Sequence, residues 1–219
     1  MELVRRNLVV LTWGNVSLFD RDTGIVVIKP RGINYDKLMP EDMSVVDIEG
    51  KQVEKGLLPS VDLEIHLELF KAYHEIRSIA HTHSTFATAW AQTRRDIPAY
   101  GTTHADHFYG PIPCTRQLTK EEVETNYEIN TGKLFVKTFN ERGIDPMSTF
   151  GILSASHGPF TWGNTPELAV ENSLILEEIA KMAFLTESIS PNAPVLEQYV
   201  LDKHFLRKHG PNSYFYQEK

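Results

Sequence analysis

Three of the nine histidines are spaced as ligands of one metal ion. His81 and His83 flank Thr82 at the end of an apolar run, and residues i and i+2 of a strand point to the same face, so both imidazoles could reach one ion. His157 follows a second apolar run, where Gly158 and Pro159 predict a turn. Three protein nitrogens with an open position are typical of a catalytic zinc site.

Other interpretations of these histidines stay open. An H-x-H pair also occurs at ordinary polar strand ends, so the spacing alone is a weak signal. Asp62, at the start of a predicted helix, is a candidate fourth ligand with a charge. His66 and His74, further along that helix, are expected to be packing or surface residues.

Two further clusters carry polar groups that suit a substrate. The segment 101–107 (GTTHADH) contains Asp106, a candidate general acid or base that could equally cap a turn. Several separate segments offer backbone N–H groups, an amide, cations and a predicted helix start to an anion, although each could instead be a turn or a solvated charge. The residues concerned are Gly14, Asn15, Lys29, Arg31, Gly32 and Ser60.

Both strands and helices must position these residues. Short β-branched runs predict strands, and apolar residues at helical spacing predict helices. The predicted strands are 8–13, 25–29, 43–48, 77–83 and 149–155, and the predicted helices are 62–74, 84–94, one starting at Thr119, 165–187 and 194–209. Because the early strands follow one another without helices between them, we expect an α/β fold with three α/β/α layers, in which helices flank a mostly antiparallel central sheet.

Composition limits the class of protein. A chain of 219 residues suits one domain, here expected over 1–219. Its net charge of −7 argues against a nucleic-acid partner, and no apolar stretch approaches the length that spans a bilayer. The first residues do not have the pattern of a signal peptide, and Cys114 is the single cysteine, so a reducing cytoplasm is expected.

A series of motifs then identifies a resemblance over essentially the whole chain. In order they are TWGN-x-S, IKPRG, PSVD, HTHS, GTTHAD-x-FYG-x-IPCTR, SHGPF-x-WG and DKHFLRKHG. Together they closely resemble the L-ribulose-5-phosphate 4-epimerase branch of the class II aldolase/adducin family. The resemblance implies a homotetramer with active sites between neighbouring subunits. It also implies a divalent ion, usually zinc but also manganese or cobalt, on Asp62, His81, His83 and His157.

The implied reaction is an isomerisation in arabinose or ascorbate catabolism. L-ribulose 5-phosphate and D-xylulose 5-phosphate interconvert by cleavage and re-formation of the C3–C4 bond, with the ion stabilising the enediolate fragment. The resemblance assigns acid/base roles to Asp106 and to a C-terminal tyrosine of the adjacent subunit. It places His204, Thr102 and Glu128 around the same site.

The chain departs from the family pattern at three places. Arg31 and Val61 stand where the family usually has serines in the phosphate pocket, and we expect Arg31 to take over part of the phosphate contact; the alternative is that it points to solvent. In the tail, Phe215 falls at the position of the catalytic tyrosine, so Tyr216 or Tyr214 must supply the phenol, and Tyr216 is favoured. The helix that normally precedes the first strand is expected to be missing.

Two other functions remain to be distinguished. A class II aldolase acting on L-fuculose or rhamnulose phosphate would share the histidines, but such aldolases tend to carry Glu where Asp62 stands. An adducin-like interaction module would be expected to lose the metal ligands, and all of them are present here.

Overall fold

The computed structural model describes residues 1–214 and contains a six-stranded sheet. The strands lie in the order β3-β2-β1-β4-β6-β5, and each neighbouring pair is antiparallel. Their bounds are β1 Asn15–Asp20, β2 Ile25–Ile28, β3 Ser44–Asp47, β4 Ser78–His81, β5 Gly151–Ser154 and β6 Gly158–Gly163. This confirms the expected mixed α/β fold with an antiparallel sheet.

Helices cover both faces of this sheet. Their bounds are α1 Glu2–Arg5, α2 Leu63–Ala72, α3 Thr85–Thr93, α4 Thr102–Ala105, α5 Lys120–Arg142, α6 Pro146–Thr149, α7 Pro166–Ile189 and α8 Gln198–His209, with two short 3-10 turns at Tyr35–Lys37 and Pro40–Asp42. A large aromatic core that includes Phe70, Phe135 and Trp162 lies between the sheet and α2 and α5. A second core with Trp90, Leu153 and Leu176 lies beneath α3 and α7. None of the helices within residues 1–214 is both long and apolar enough to cross a bilayer.

Local capping explains why the long helices begin where the sequence predicts. The side chain of Thr119 accepts a hydrogen bond from the backbone N–H of Glu122, and the carboxylate of Glu122 accepts one from the backbone N–H of Thr119, so α5 begins with a complete capping box. The side chain of Thr165 caps α7, with Pro166 at the first helical position. These caps satisfy N–H groups that would otherwise lack partners at the helix ends.

The predicted strand at 8–13 is wrong. Leu11 and Gly14 both adopt positive φ angles, of 56° and 73°, so this segment turns instead of extending. Its apolar residues divide between a buried Leu8 and an exposed Val10 and Leu11. The first strand starts only at Asn15, and a short helix, α1, precedes it where none was expected.

Two smaller predictions also fail. Residues 102–105 of the supposedly irregular GTTHADH segment form the helix α4. Gly158 and Pro159 do not make a turn but open β6, and the turn before them contains Ser156 at a φ of 63°. The β5–β6 connection is therefore a tight hairpin with His157 at its end.

Candidate metal and substrate site

The structure brings the imidazoles of His81, His83 and His157 together at one end of the sheet. One ring nitrogen from each lies within 4.8 Å of the others. The Nε2 atoms of His81 and His83 are 3.0 Å apart, close to the separation of about 3.4 Å expected for two nitrogens on one tetrahedral zinc ion. Two nitrogen lone pairs at that distance repel unless a cation or a proton lies between them.

His81 is the most rigidly held of the three. It ends β4, one of the two central strands of the sheet, and pairs with Asn15 of β1 on one side and Phe160 of β6 on the other. Its Nδ1–H lies 3.0 Å from the carbonyl oxygen of Pro159, which leaves Nε2 to face the cluster. The ring of Phe160 stacks on the imidazole, with centroids 4.1 Å apart and an angle of 15° between the planes. His81 is fully buried.

His83 and His157 approach from outside the regular strands. His83 lies two residues beyond His81, after β4 has ended, and its ring is 5.9 Å from that of Trp13. His157 comes from the β5–β6 hairpin, and its buried Nδ1 has no hydrogen-bond partner in residues 1–214. Strand pairing between β4 and β6 brings these two segments to the same point.

The charge state of the cluster suits a cation. Burial lowers the pKa of His81 well below the usual value, and the neighbouring imidazoles of His157 and His83 lower it further. Burial also lowers the pKa of His83 and His157. Neutral imidazoles keep their lone pairs, so the residues present fit a divalent metal ion.

Asp62 lies beside this cluster at the start of α2. Its Oδ2 is 3.9 Å from Nε2 of His81 and accepts a hydrogen bond of 2.8 Å from the side-chain amide of Asn15. The same amide donates to Oγ of Ser60 at 3.0 Å. Asn15 therefore holds the aspartate and the serine hydroxyl next to each other, close to the histidines.

A glycine allows this close assembly. Gly14 has a φ of 73°, and a Cβ on it would lie 2.7 Å from the carbonyl oxygen of His81. The loop before β1 can therefore approach β4 only with glycine at this position.

The remaining predicted anion-binding residues do not all lie beside the histidine cluster. Lys29 is buried on the α7 side of the sheet, lines a cavity of about 240 Å³ with Val16 and Val170, and donates to the carbonyl oxygen of Thr12 at 3.4 Å. Burial lowers its pKa. Arg31 is exposed and donates through Nε to the carbonyl oxygen of Pro59 at 3.1 Å.

Gly32 and Val61 are the last two of the predicted anion-binding residues. Gly32 has a φ of 71° in the turn after Arg31, and the side chain of Val61 is 55% exposed beside Ser60. The described part of the chain thus joins Gly14, Asn15 and Ser60 to the histidine cluster, while Arg31 and Val61 lie at the adjoining surface.

Asp106 belongs to a separate cluster formed by α4 and α8. Its carboxylate accepts hydrogen bonds from Nδ1 of His204 at 3.0 Å and from Arg207 at 2.8 and 2.9 Å. Burial raises the pKa of Asp106, but the hydrogen bonds from His204 and Arg207 and the nearby Lys208 outweigh it, so the net shift is downward. Within residues 1–214 no hydrogen bond or ion pair links Asp106 to the three histidines.

The structure also describes three of the other predicted site residues, Thr102, Glu128 and Tyr214. Thr102 begins α4, and its carbonyl oxygen accepts from the backbone N–H of Asp106. Glu128 is half-buried on α5. Tyr214 is exposed, with its ring 5.3 Å from Nζ of Lys203. Tyr216 lies outside the described residues.

Two aromatic residues beside the histidines carry no role in the sequence interpretation. Trp13 contacts His83 and is half-exposed, and the ring of Tyr127 lies 6.5 Å from that of His157. Burial, together with the charges of Asp62 and Glu128, raises the pKa of Tyr127. For Tyr127 the aromatic ring in an otherwise polar segment was the available signal, but nothing in the spacing relates either residue to the histidines.

Comparisons with known proteins give a consistent result. The family model described as "Class II Aldolase and Adducin N-terminal domain" matches residues 1–184. The chain is 50% identical over 218 residues to proteins named L-ribulose-5-phosphate 4-epimerase UlaF from Salmonella paratyphi C (strain RKS4594) and Salmonella typhi, covering all of this chain and 95% of each relative.

Solved structures show the same fold. An L-fuculose 1-phosphate aldolase superposes with a TM-score of 0.77 at 26% identity, over 93% of this chain and 89% of the other. A second such aldolase, from Thermus thermophilus, gives a TM-score of 0.65 at 21% identity, over 89% and 93% of the two chains.

Proposed function

Because this chain belongs to the class II aldolase and adducin family, we propose that it is an L-ribulose-5-phosphate 4-epimerase. It interconverts L-ribulose 5-phosphate and D-xylulose 5-phosphate. The observation that carries the proposal is the 50% identity to proteins of that name, which extends over the full length of this chain. The cluster of His81, His83 and His157 supplies the ligands that this chemistry requires.

The reaction inverts C4, whose hydrogen is not acidic, so the C3–C4 bond must break. Its electron pair passes to the three-carbon fragment, the C4 hydroxyl gives its proton to a base, and C4 becomes an aldehyde. The aldehyde presents its other face, the bond forms again, and an acid returns a proton to the C4 oxygen. A divalent ion at the histidines supplies Lewis-acid stabilisation of the negative charge on the three-carbon fragment.

The chain's own residues have distinct roles in this scheme. The three histidines and Asp62 would hold the ion, which we propose to be zinc, and Asn15 orients Asp62. Gly14, Asn15, Ser60 and the surface residues Arg31 and Val61, with Gly32 and Lys29 behind them, form the region that receives the phosphate. Asp106 and a C-terminal tyrosine, Tyr216 or Tyr214, exchange protons with the C4 oxygen, and His204 orients Asp106.

We further propose that a second copy of the chain completes each site, in a homotetramer. Asp106 and the histidines form separate clusters within residues 1–214, yet the chemistry requires both at one substrate. Mixing His81→Ala with Asp106→Asn tests this. Subunits that exchange should restore activity at about one site in four, as expected when each site takes one residue from each neighbour. No recovery after exchange would refute shared sites.

One assay tests the function itself. Purified protein supplied with Zn²⁺ and L-ribulose 5-phosphate should form D-xylulose 5-phosphate, and a chelator should stop the reaction. Free glycolaldehyde phosphate as the main product would instead identify an aldolase, the activity named for the solved structures of the same fold. A metal-free, inactive protein would support an interaction module. A reducing cytoplasm remains the proposed location, and the buried free thiol of Cys114 is compatible with it.

A further inference from the structure

Tyr127 has no role in the scheme above, although its ring lies beside the histidine cluster. Its ring is 6.5 Å from the ring of His157, and its environment includes the carboxylates of Asp62 and Glu128. The side chain is half-buried, and no group in residues 1–214 forms a hydrogen bond with its hydroxyl. Tyr127 thus offers a hydrogen-bond donor close to the proposed binding site of the substrate oxygens.

A break in helix α5 orients this tyrosine. Asn126 has φ −147° and ψ 79°, which is not helical, so Tyr127 is the first residue after a kink. The amide of Asn130 bridges the break by donating to the carbonyl oxygen of Glu122 at 2.8 Å and to Oγ1 of Thr125 at 3.1 Å. Polar side chains that satisfy the interrupted backbone make the kink a stable feature of the helix.

Packing alone does not account for a tyrosine here. A phenylalanine would contact His157 with the same ring, so the hydroxyl adds no packing, and in its half-buried position it can hydrogen-bond to a bound molecule. The hydroxyl is therefore available to a ligand that binds at the histidines.

We propose that Tyr127 is a substrate-binding residue, whose hydroxyl donates a hydrogen bond to an oxygen of the three-carbon ketose fragment held at His81, His83 and His157. This inference rests on the proposed function for the identity of the fragment. The contact itself requires only an oxygen ligand with two adjacent oxygens at that place. Because negative charge grows on these oxygens as the C3–C4 bond breaks, the hydrogen bond is stronger in the transition state than in the bound substrate.

Acetohydroxamate is a suitable probe, since it is a small planar ligand with two adjacent oxygens like the charged fragment. Its binding to zinc-loaded wild type and Tyr127→Phe would be measured by calorimetry, with zinc content and zinc affinity measured in parallel. We expect Tyr127→Phe to bind zinc as wild type does and to bind acetohydroxamate about tenfold more weakly, the effect typical of a hydrogen bond to a charged group.

Tyr73→Phe is the matched control. This variant also removes a phenol hydroxyl that has no partner within residues 1–214, but that hydroxyl is buried against the core. It should change neither the zinc affinity nor the acetohydroxamate affinity. Equal hydroxamate affinity in Tyr127→Phe and wild type would overturn the inference. So would loss of zinc in Tyr127→Phe, because it would show that the hydroxyl supports the ligands instead. If Tyr127→Phe binds acetohydroxamate more weakly but the wild-type protein has no epimerase activity, the proposed function is refuted and the Tyr127 contact is supported.

Discussion

Gly158 controls how closely the β5–β6 hairpin approaches the proposed metal ligands. A Cβ on Gly158 would lie 2.7 Å from the carbonyl oxygen of Thr82, between His81 and His83, and 3.6 Å from Cε1 of His81. Ordinary contacts begin at 3.4 Å, so Gly158→Ala must move the Thr82 carbonyl or the hairpin by several tenths of an ångström. Overpacking of this kind costs about 1–3 kcal/mol.

The cost should fall mainly on metal binding. Without metal, the segment from His81 to His83 can shift to relieve the overlap, whereas a bound ion requires all three imidazoles in place. When about half of this strain, roughly 0.5–1.5 kcal/mol, opposes binding, the Kd for Zn²⁺ rises about 2- to 13-fold. The melting temperature of the metal-free protein should fall by only about 2–4 °C per kcal/mol retained.

Competition with a chelating dye measures the zinc affinity, and circular dichroism measures the melting temperature with and without metal. Gly56→Ala is the control, because a Cβ there has no atom within 4 Å and the residue does not need a positive φ. The reasoning would be refuted if Gly158→Ala bound zinc as tightly as Gly56→Ala while losing stability equally in both metal states.

Four further predictions follow from the two clusters and the tail. Arg31→Ser should raise KM for L-ribulose 5-phosphate about fivefold with little change in kcat, since an exposed guanidinium gives only a modest charge-assisted hydrogen bond; an unchanged KM would show that Arg31 points to solvent. Asp106→Asn should lower kcat at least about 100-fold and leave the zinc content measured by atomic absorption unchanged; loss of zinc would contradict the separation of the two clusters. Tyr216→Phe should abolish turnover and Tyr214→Phe should not, and the reverse result in steady-state kinetics would move the acid/base role to Tyr214. Burial lowers the pKa of His104 to about 4, so the folded protein favours the neutral imidazole and loses stability as the pH falls below the pKa of the unfolded chain, near 6.5. Between pH 7 and pH 5, the free energy of unfolding measured in urea should fall by about 2 kcal/mol more in wild type than in His104→Gln. Equal decreases in the two proteins would exclude His104 as the cause.

Local signals in the sequence predicted much of the fold. Helix α3 begins after Ser84, and the caps at Thr119 and Thr165 start α5 and α7, because a cap is decided by a few adjacent residues. The strand leading to His81 was also predicted, although it ends at His81 and leaves His83 outside it. The antiparallel arrangement followed from successive strands without intervening helices.

Features that depend on backbone twist or strand register were not predictable in this way. The apolar run at 8–13 resembles a strand in composition, but the positive φ angles at Leu11 and Gly14 turn it. The backbone carbonyl of Lys29 accepts a hydrogen bond from the N–H of Ser60, yet the side chain of Lys29 lines the cavity on the α7 side, and composition does not reveal which face a residue at a strand end takes. The approach of Tyr127 to His157 depends on the single non-helical residue Asn126.

The route by which the histidines meet also bears on the order of folding. His81 and His83 are neighbours in sequence, but His157 reaches them only through the antiparallel pairing of β4 with β6, a contact between distant parts of the chain. Such long-range pairings form late, because the entropy of closing a long loop opposes them. The proposed metal site is therefore complete only after the central sheet has assembled, so we expect metal binding to stabilise the finished fold and not to start folding.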